Sequence, residues 1–377
     1  MTLFQKFGWS LRVSILLSGF TLIGCESADM PVVDQSWAIS KNATIIKNNL
    51  PVEFQTPTRL SLSTPGWEDG LSVSRDGLNL YATYIPADFL SFVLDGSNDP
   101  SQIPLYGRGP HLNLNFTDNP AGLDYPWYHS DIIYSQREST NEAFPPWQPT
   151  DLSRAVFSEG ALTTVFSAPD SMMCAFTSND QFTAQNNIKI IQSTNANPAG
   201  IGTPLTATDT AGTQLVNTNY IEDNPHLERV GDNELVLFFD SEDRPGGAGS
   251  IDIWYSISTD NGNSWSTPAN VSTINTAEKE HQPHLFFDGT DWWVYFSAHH
   301  TDGKLAIFRS RGQASGWDSW GEPEPVLTAG NAAGIGEPTL TESGDLYFVV
   351  IHENPLGTDV DRYDADPWVA MAIGNDG

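Results

Sequence analysis

Apolar and polar residues alternate in short runs along most of the chain, and Gly, Pro, Asn and Asp break those runs. A period of two with such breakers predicts strands joined by tight turns, and no stretch beyond the N-terminal segment shows a sustained 3.6-residue apolar period. One unit recurs. Glu222-Asp223-Asn224-Pro225-His226-Leu227 returns as Glu280-His281-Gln282-Pro283-His284-Leu285, and Gly336-Glu337-Pro338-Thr339-Leu340 is a weaker copy. A Gly-containing turn follows each (Gly231, Gly289, Gly344), then an apolar second strand and a third strand. Trp67-Glu68-Asp69-Gly70-Leu71 and Glu159-Gly160-Ala161-Leu162 open two earlier copies. Fourth strands are expected around 265–268 and 320–323 in the middle copies.

Four antiparallel strands repeated radially make an all-β propeller. The openings at 68, 159, 222, 280 and 336 predict five blades; a six-bladed ring with its extra blade inside an insertion is the alternative. That insertion, 86–129, is rich in Gly, Pro, Asn and aromatic residues and interrupts the first copy between its second and third strands. The last copy ends one strand short, so a segment within 36–62 is expected to complete it.

Charge narrows the partners. The 377 residues carry Lys+Arg 17 against Asp+Glu 47, a net charge of −30. Phosphate backbones are bound through Lys and Arg clusters, which excludes nucleic acid. Hydrophobic residues at 39% exclude a disordered acidic tail.

Residues 1–24 hold no acid and carry Lys6 and Arg12 ahead of a short apolar run, the pattern of a secretory signal. The run ends in Leu22-Ile23-Gly24-Cys25, which resembles the lipobox of bacterial lipoproteins. The resemblance implies cleavage before Cys25, acylation of that residue and a place in the cell envelope, with the outer membrane expected because Glu26, not Asp, follows. Residues 25–35 then form a tether and 36–377 a single propeller domain. Cys174 sits in an apolar strand-like run and is expected to be a buried structural thiol.

Three further resemblances attach to particular residues. Ser258-Thr259-Asp260-Asn261-Gly262-Asn263-Ser264-Trp265 resembles the Asp box of sialidases and other propellers. That likeness implies a structural hairpin in which Ser258, Asp260, Gly262 and Trp265 form a turn packed back on its blade. Asn275-Thr276, Glu280, Pro283, Asp288-Gly289 and Tyr295-Phe296-Ser297 are similar to the WD40-like (PD40) repeats of TolB-type propellers, which implies binding without assigning chemistry. Five blades with acids at their openings resemble the furanosidase-like glycoside hydrolases acting on arabinans, xylans and fructans. By that likeness Asp69 is the general base, Glu159 the modulator and Glu222 the general acid, although Glu280 and Glu337 repeat the feature.

A ligand at the channel mouth is expected to meet Trp67, Trp127, Tyr128, His129, Asp223, His226, Glu280 and His284, through stacking rings and hydrogen-bonding acids and imidazoles. No cofactor is expected. Asp359, Asp361, Asp364 and Asp366 are a conceivable calcium group, but they lack the alternating ligand spacing of an EF-hand loop and read better as a solvated acidic turn. The leading expectation is a lipid-anchored envelope propeller that binds a glycan, peptide or partner protein. The alternative is a glycoside hydrolase acting on a neutral glycan with paired carboxylates.

Overall fold

A computed structural model describes residues 35–85, 88–90, 130–152, 158–168, 171–179, 187–193, 205–313, 316–357 and 362–374. The expectations for Cys25 and its signal, for Trp127, Tyr128 and His129, and for Asp359 and Asp361 lie outside the described residues. Those residues form a five-bladed β-propeller of small antiparallel sheets. The inner strands are Trp67–Val73, Glu159–Ala168, Ile221–Arg229, Glu280–Phe287 and Gly334–Leu340, for blades one to five. Second strands lie inside each blade, covered on both faces by the neighbouring blades, which is why Leu235–Phe239 reads as a continuous apolar run and is wholly buried.

The N-terminal segment closes the ring. Thr58–Arg59 pairs with Val369 and Trp368 as the outer strand of blade five. Lys47–Asn48 adds a fifth strand to blade four beside Leu327 and Thr328. A helix, Gln35–Asn42, precedes them and delivers Lys41 to a buried ionic cluster. Lys41 pairs with Asp364 and lies 3.3 Å from Asp366, which also accepts from Arg59 at 2.8 Å. His352 Nε2 lies 3.1 Å from the same carboxylate. Asp364 and Asp366 are therefore buried counter-ions of the N-terminal segment, and the expected solvated acidic turn is corrected at these two positions.

The fourth strands of blades three and four start slightly later than expected, at Ala269–Asn270 and Glu324–Thr328. Trp265 and Trp320 are buried and belong to the inward-packing turns that precede them. In the first of these turns Gly262 takes φ 82° and its N–H donates to Ser258 Oγ at 2.8 Å. Asp260 accepts from the Ser264 N–H and hydroxyl at 2.8 and 2.6 Å, while Trp265 packs between blades two and three. Cys174 is buried as a free thiol, and burial pushes its proton affinity up. Among the described residues no helix is long and apolar enough to cross a membrane.

Removing one member of a buried ion cluster leaves its partners uncompensated. Asp366→Ala is expected to lower unfolding stability by about 3–5 kcal/mol, read by urea melts. An unchanged midpoint would mean that the N-terminal segment does not depend on this cluster.

Candidate active site at the channel mouth

Every inner strand contains the same defect. A bulge interrupts its pairing with the second strand, and one residue in the bulge is left-handed: Gly70, Ala161, Asn224, Gln282 and Glu337, with φ of 56°, 49°, 47°, 57° and 58°. Aligned on these residues, the preceding positions are Asp69, Gly160, Asp223, His281 and Gly336. The positions one further back are Glu68, Glu159, Glu222, Glu280 and Ile335. Neighbouring strand residues point to opposite faces, so these two sets do different work.

The glutamates one position back close their own turns. Glu68 accepts from the N–H of Thr64 at 3.1 Å, Glu222 from Thr218 at 3.0 Å and Glu280 from Thr276 at 2.8 Å, each also taking the threonine hydroxyl. Asn217 and Asn275, just before two of these threonines, clamp Ile188 and Ile253 in the third strand of the preceding blade. Glu222 also lies 3.6 Å from Arg244. Glu222, expected as a general acid, and Glu280, expected as a ligand group, are buried and hydrogen-bonded within their own blade openings and are not on the lining of the mouth cavity. Glu159 occupies the register position of Glu222 and lines the edge of the mouth cavity.

The residues that do meet are the aspartates next to the bulge. Asp69, Asp223 and Glu337, from blades one, three and five, line one cavity of about 110 Å³ at the channel mouth. Thr83, Ile85 and Phe89 complete its wall on the blade-one side. Asp69 accepts the indole N–H of Trp67 at 2.6 Å. Trp67, expected to meet a ligand, is buried in the blade-one core, edge-on to Phe89, and orients Asp69 through its indole N–H. Asp223 accepts from the N–H of Asn224 at 2.9 Å and is paired in register with Asp240. Asp240 in turn accepts from the Gln282 N–H and the Asn224 amide, both at 2.9 Å.

Burial and mutual repulsion dominate this group. Burial, then the nearby Asp223, raises the Asp69 carboxyl to about 7 against the lowering effect of the Trp67 hydrogen bond. Burial and Asp223 likewise raise Asp240 to about 7. Glu337 is raised well above the usual range by burial, with Asp69 and Asp223 adding to it. No Lys or Arg lines this cavity among the described residues.

Blade two contributes no carboxylate at the aspartate register, because Gly160 stands there. A Cβ at that position would come within 2.8 Å of Thr83 Oγ1, the atom that accepts the Ala161 N–H at 2.9 Å. His226 and His284 lie deeper, in a ring with Ser72, Thr163 and Thr339. Their ring centroids are 4.1 Å apart. His284 Nε2 accepts the N–H of Leu340 at 3.0 Å, so it ties blade four to blade five. Burial, with Arg75 adding to it, lowers His226 to about 3. Burial, His226 and Arg75 hold His284 well below its usual value. Both are neutral members of the channel wall. At the far end, Arg75 of blade one pairs with Glu228 of blade three at 2.6 Å.

Asp240, Glu337 and Phe89 were not singled out from the sequence for these roles. Asp240 lies on a second strand, and only the bulge register brings it beneath Asp223. The repeated Thr-x-x-x-Glu spacing at 64–68, 218–222 and 276–280 was the available signal that the glutamates belong to turns.

No protein-family model matches the chain, and no curated protein is similar to it. Solved structures share its fold. A xylan β-1,4-xylosidase from Bacillus halodurans superposes with TM-score 0.51 at 13% identity, over 85% of this chain and 55% of that one. The chain thus spans about half the length of that xylosidase. An endo-arabinase from Bacteroides thetaiotaomicron (TM-score 0.49, 13% identity, 85% of this chain and 96% of that one) is also similar. So is an α-L-arabinofuranosidase from Podospora anserina, solved with cellotriose (0.49, 9%, 88% and 95%).

Asp69 supplies a pH test of this geometry. A carboxyl raised on folding contributes stability that is present below its unfolded value and is lost as pH rises through about 7. Asp69→Asn is therefore expected to melt close to wild type near pH 4 and above it near pH 8. Equal melting temperatures at both would contradict a desolvated, crowded Asp69.

Proposed function

We propose that this chain is a glycoside hydrolase whose reacting carboxylates are Asp69 and Asp223. One observation carries the reading: two aspartates from blades one and three, at the same register position, line one cavity at the channel mouth. Glycosidic hydrolysis needs one carboxyl that still holds a proton and one that is ionised. Desolvation, with the nearby Asp223 adding to it, raises Asp69 to about 7, so Asp69 keeps a proton near neutral pH. The protonated member donates to the leaving oxygen, and the ionised member activates water or attacks the anomeric carbon. Ile85 and Phe89 offer an apolar wall for the C–H face of a sugar ring.

The acidic lining, with no Lys or Arg among the described residues, favours a neutral glycan over a polyanion. The shared fold with a xylosidase makes pentose-containing glycans the first class to assay. A non-catalytic glycan-binding module is the second reading, and Gly160 favours it, because blade two adds no carboxylate at the aspartate register. The WD40-like likeness of the middle blades fits this second reading. The anchor implied by Cys25 would hold either protein at an envelope membrane, facing polymers or partner proteins there.

Wild type, Asp69→Asn, Asp223→Asn and Glu222→Gln assayed on arabinan, arabinoxylan and xylo-oligosaccharides separate these readings. Loss of turnover by about 10²-fold or more is expected for each aspartate variant, while Glu222→Gln loses stability first. Binding without hydrolysis in wild type selects the module, and hydrolysis that survives Asp69→Asn excludes the assigned pair. For the anchor, intact-mass measurement of envelope-purified protein is expected to show an acyl increment that Cys25→Ser removes. An identical mass in both would reject it.

A further inference from the structure

Blade four carries a second cavity, at the strand ends opposite the mouth. Trp293 on its second strand stands in register with Arg311 on the third, and Arg309 with Glu324 on the fourth. These side chains therefore share one sheet face, where Trp293 packs against the cluster that joins blades four and five. With Asp291, Gln313 and Glu322 they line an open groove of about 430 Å³. That volume lies within the roughly 300–1,000 Å³ range of small-molecule sites. The floor is fixed in advance. The Arg309 guanidinium lies 4.3 Å from the centre of the Trp293 ring. Glu53 holds that guanidinium with bonds of 2.6 and 2.9 Å, and Glu324 adds a third at 2.8 Å. The Trp293 indole N–H donates to Asp288 at 2.8 Å. The walls are looser. Arg311 pairs with Asp291, yet its side chain is 59% exposed. The side chains of Gln313 and Glu322 are exposed and meet no hydrogen-bond or ionic partner among the described residues.

We propose that this groove is a second glycan site, separate from the mouth, which holds a neutral polysaccharide chain over the Trp293–Arg309 floor. The inference takes its ligand class from the functional reading and needs neither Asp69 nor Asp223 to react. A sugar presents hydroxyls that both donate and accept, and C–H faces that settle on flat groups. Arg311 and Gln313 offer donors beside the acceptors of Asp291 and Glu322, above a flat floor that needs no rearrangement. Charge selects against the other occupants. On a chain of net charge −30, two arginines here face three acids, so the groove is close to balanced. A polyanion meets the carboxylates and a polycation meets the guanidiniums. An apolar peptide would desolvate Arg311 and Glu322 without giving them partners. Gly321 leaves the space open: a Cβ there would lie 3.5 Å from Arg311 O and 3.6 Å from Gln313 Nε2, both ordinary contacts. A polymer held at the groove and at the mouth together binds more tightly than at either alone.

Affinity electrophoresis of the full chain through gels cast with arabinan, arabinoxylan or polygalacturonate tests this, with Asp69→Asn as the background that stops hydrolysis. G321L fills the groove, and R311A combined with Q313A removes the wall donors. The background protein is expected to be retarded by at least one of the two neutral polymers. Each groove change is expected to weaken that retardation by about tenfold, the worth of roughly two hydrogen bonds. Retardation unchanged by both groove changes, no retardation by either neutral polymer, or stronger retardation by polygalacturonate overturns the proposal. Should Asp69→Asn not fold, the Trp293 indole N–H resonance of wild type, assigned against W293F, is followed while xylohexaose is added. A shift that saturates supports the groove, and a resonance that stays fixed overturns it. The two readings fail separately. Groove-dependent retardation of a wild type that hydrolyses no polymer defeats the enzymatic reading alone, and hydrolysis with groove-independent retardation defeats this inference alone.

Discussion

The left-handed residue in each inner strand is the constraint on which the rest of the propeller depends. It turns the backbone so that N–H groups leave their own sheet and point at the next blade. Ala161 donates to Thr83, Gln282 to Asp240, Glu337 to Ser297 and Leu71 to Glu337, at 2.9–3.0 Å. One step deeper, Val73 donates to Thr339, Leu227 to Thr163 and Leu340 to His284. Every junction between blades is crossed by at least one of these bonds. A buried N–H without a partner costs roughly 1–3 kcal/mol, so the rings of acceptors are obligatory once the bulges exist.

That geometry sorts the acids into two kinds. Glu68, Glu222 and Glu280, one residue before the aspartate register, satisfy the turns that introduce blades one, three and four. Asp69 and Asp223, beside the bulge, line the mouth half-buried, and no Lys or Arg lines it among the described residues. The same constraint makes the site depend on distant residues. Glu337 meets Gly70 and Leu71 only because blade five closes against blade one, and blade five owes its outer strand to Thr58–Arg59. Lys41, Arg59, His352 and Asp366 fix that segment from beneath. A neutral His226 and His284 complete the channel wall without placing further charge under the carboxylates.

Much of this was legible before any coordinates. The blade openings, the five-fold count and the need for an N-terminal strand all follow from the repeat, because each blade must bury both faces of its second strand. The register of the acids was not, because carboxylates were matched by type and not by the bulge. Asp69 was set beside Glu159 and Glu222, a one-residue slip that in a strand exchanges the two faces. Pro225, Pro283 and Pro338 mark the position after the left-handed residue and would have aligned Asp223 with His281 and Gly336. Asp240 and Phe89 were invisible for a different reason. They reach the mouth through a neighbouring strand and the start of the insertion, which no local spacing encodes.

The account's central claim is that a sugar sits between Asp69 and Asp223. A crystal structure of Asp69→Asn with a bound neutral pentose oligosaccharide tests it most directly. The account predicts a glycosidic linkage within hydrogen-bond distance of residue 69 and its anomeric carbon facing Asp223, with the sugar ring against Phe89. An oligosaccharide bound elsewhere on the propeller, with the mouth empty at saturating ligand, would contradict it.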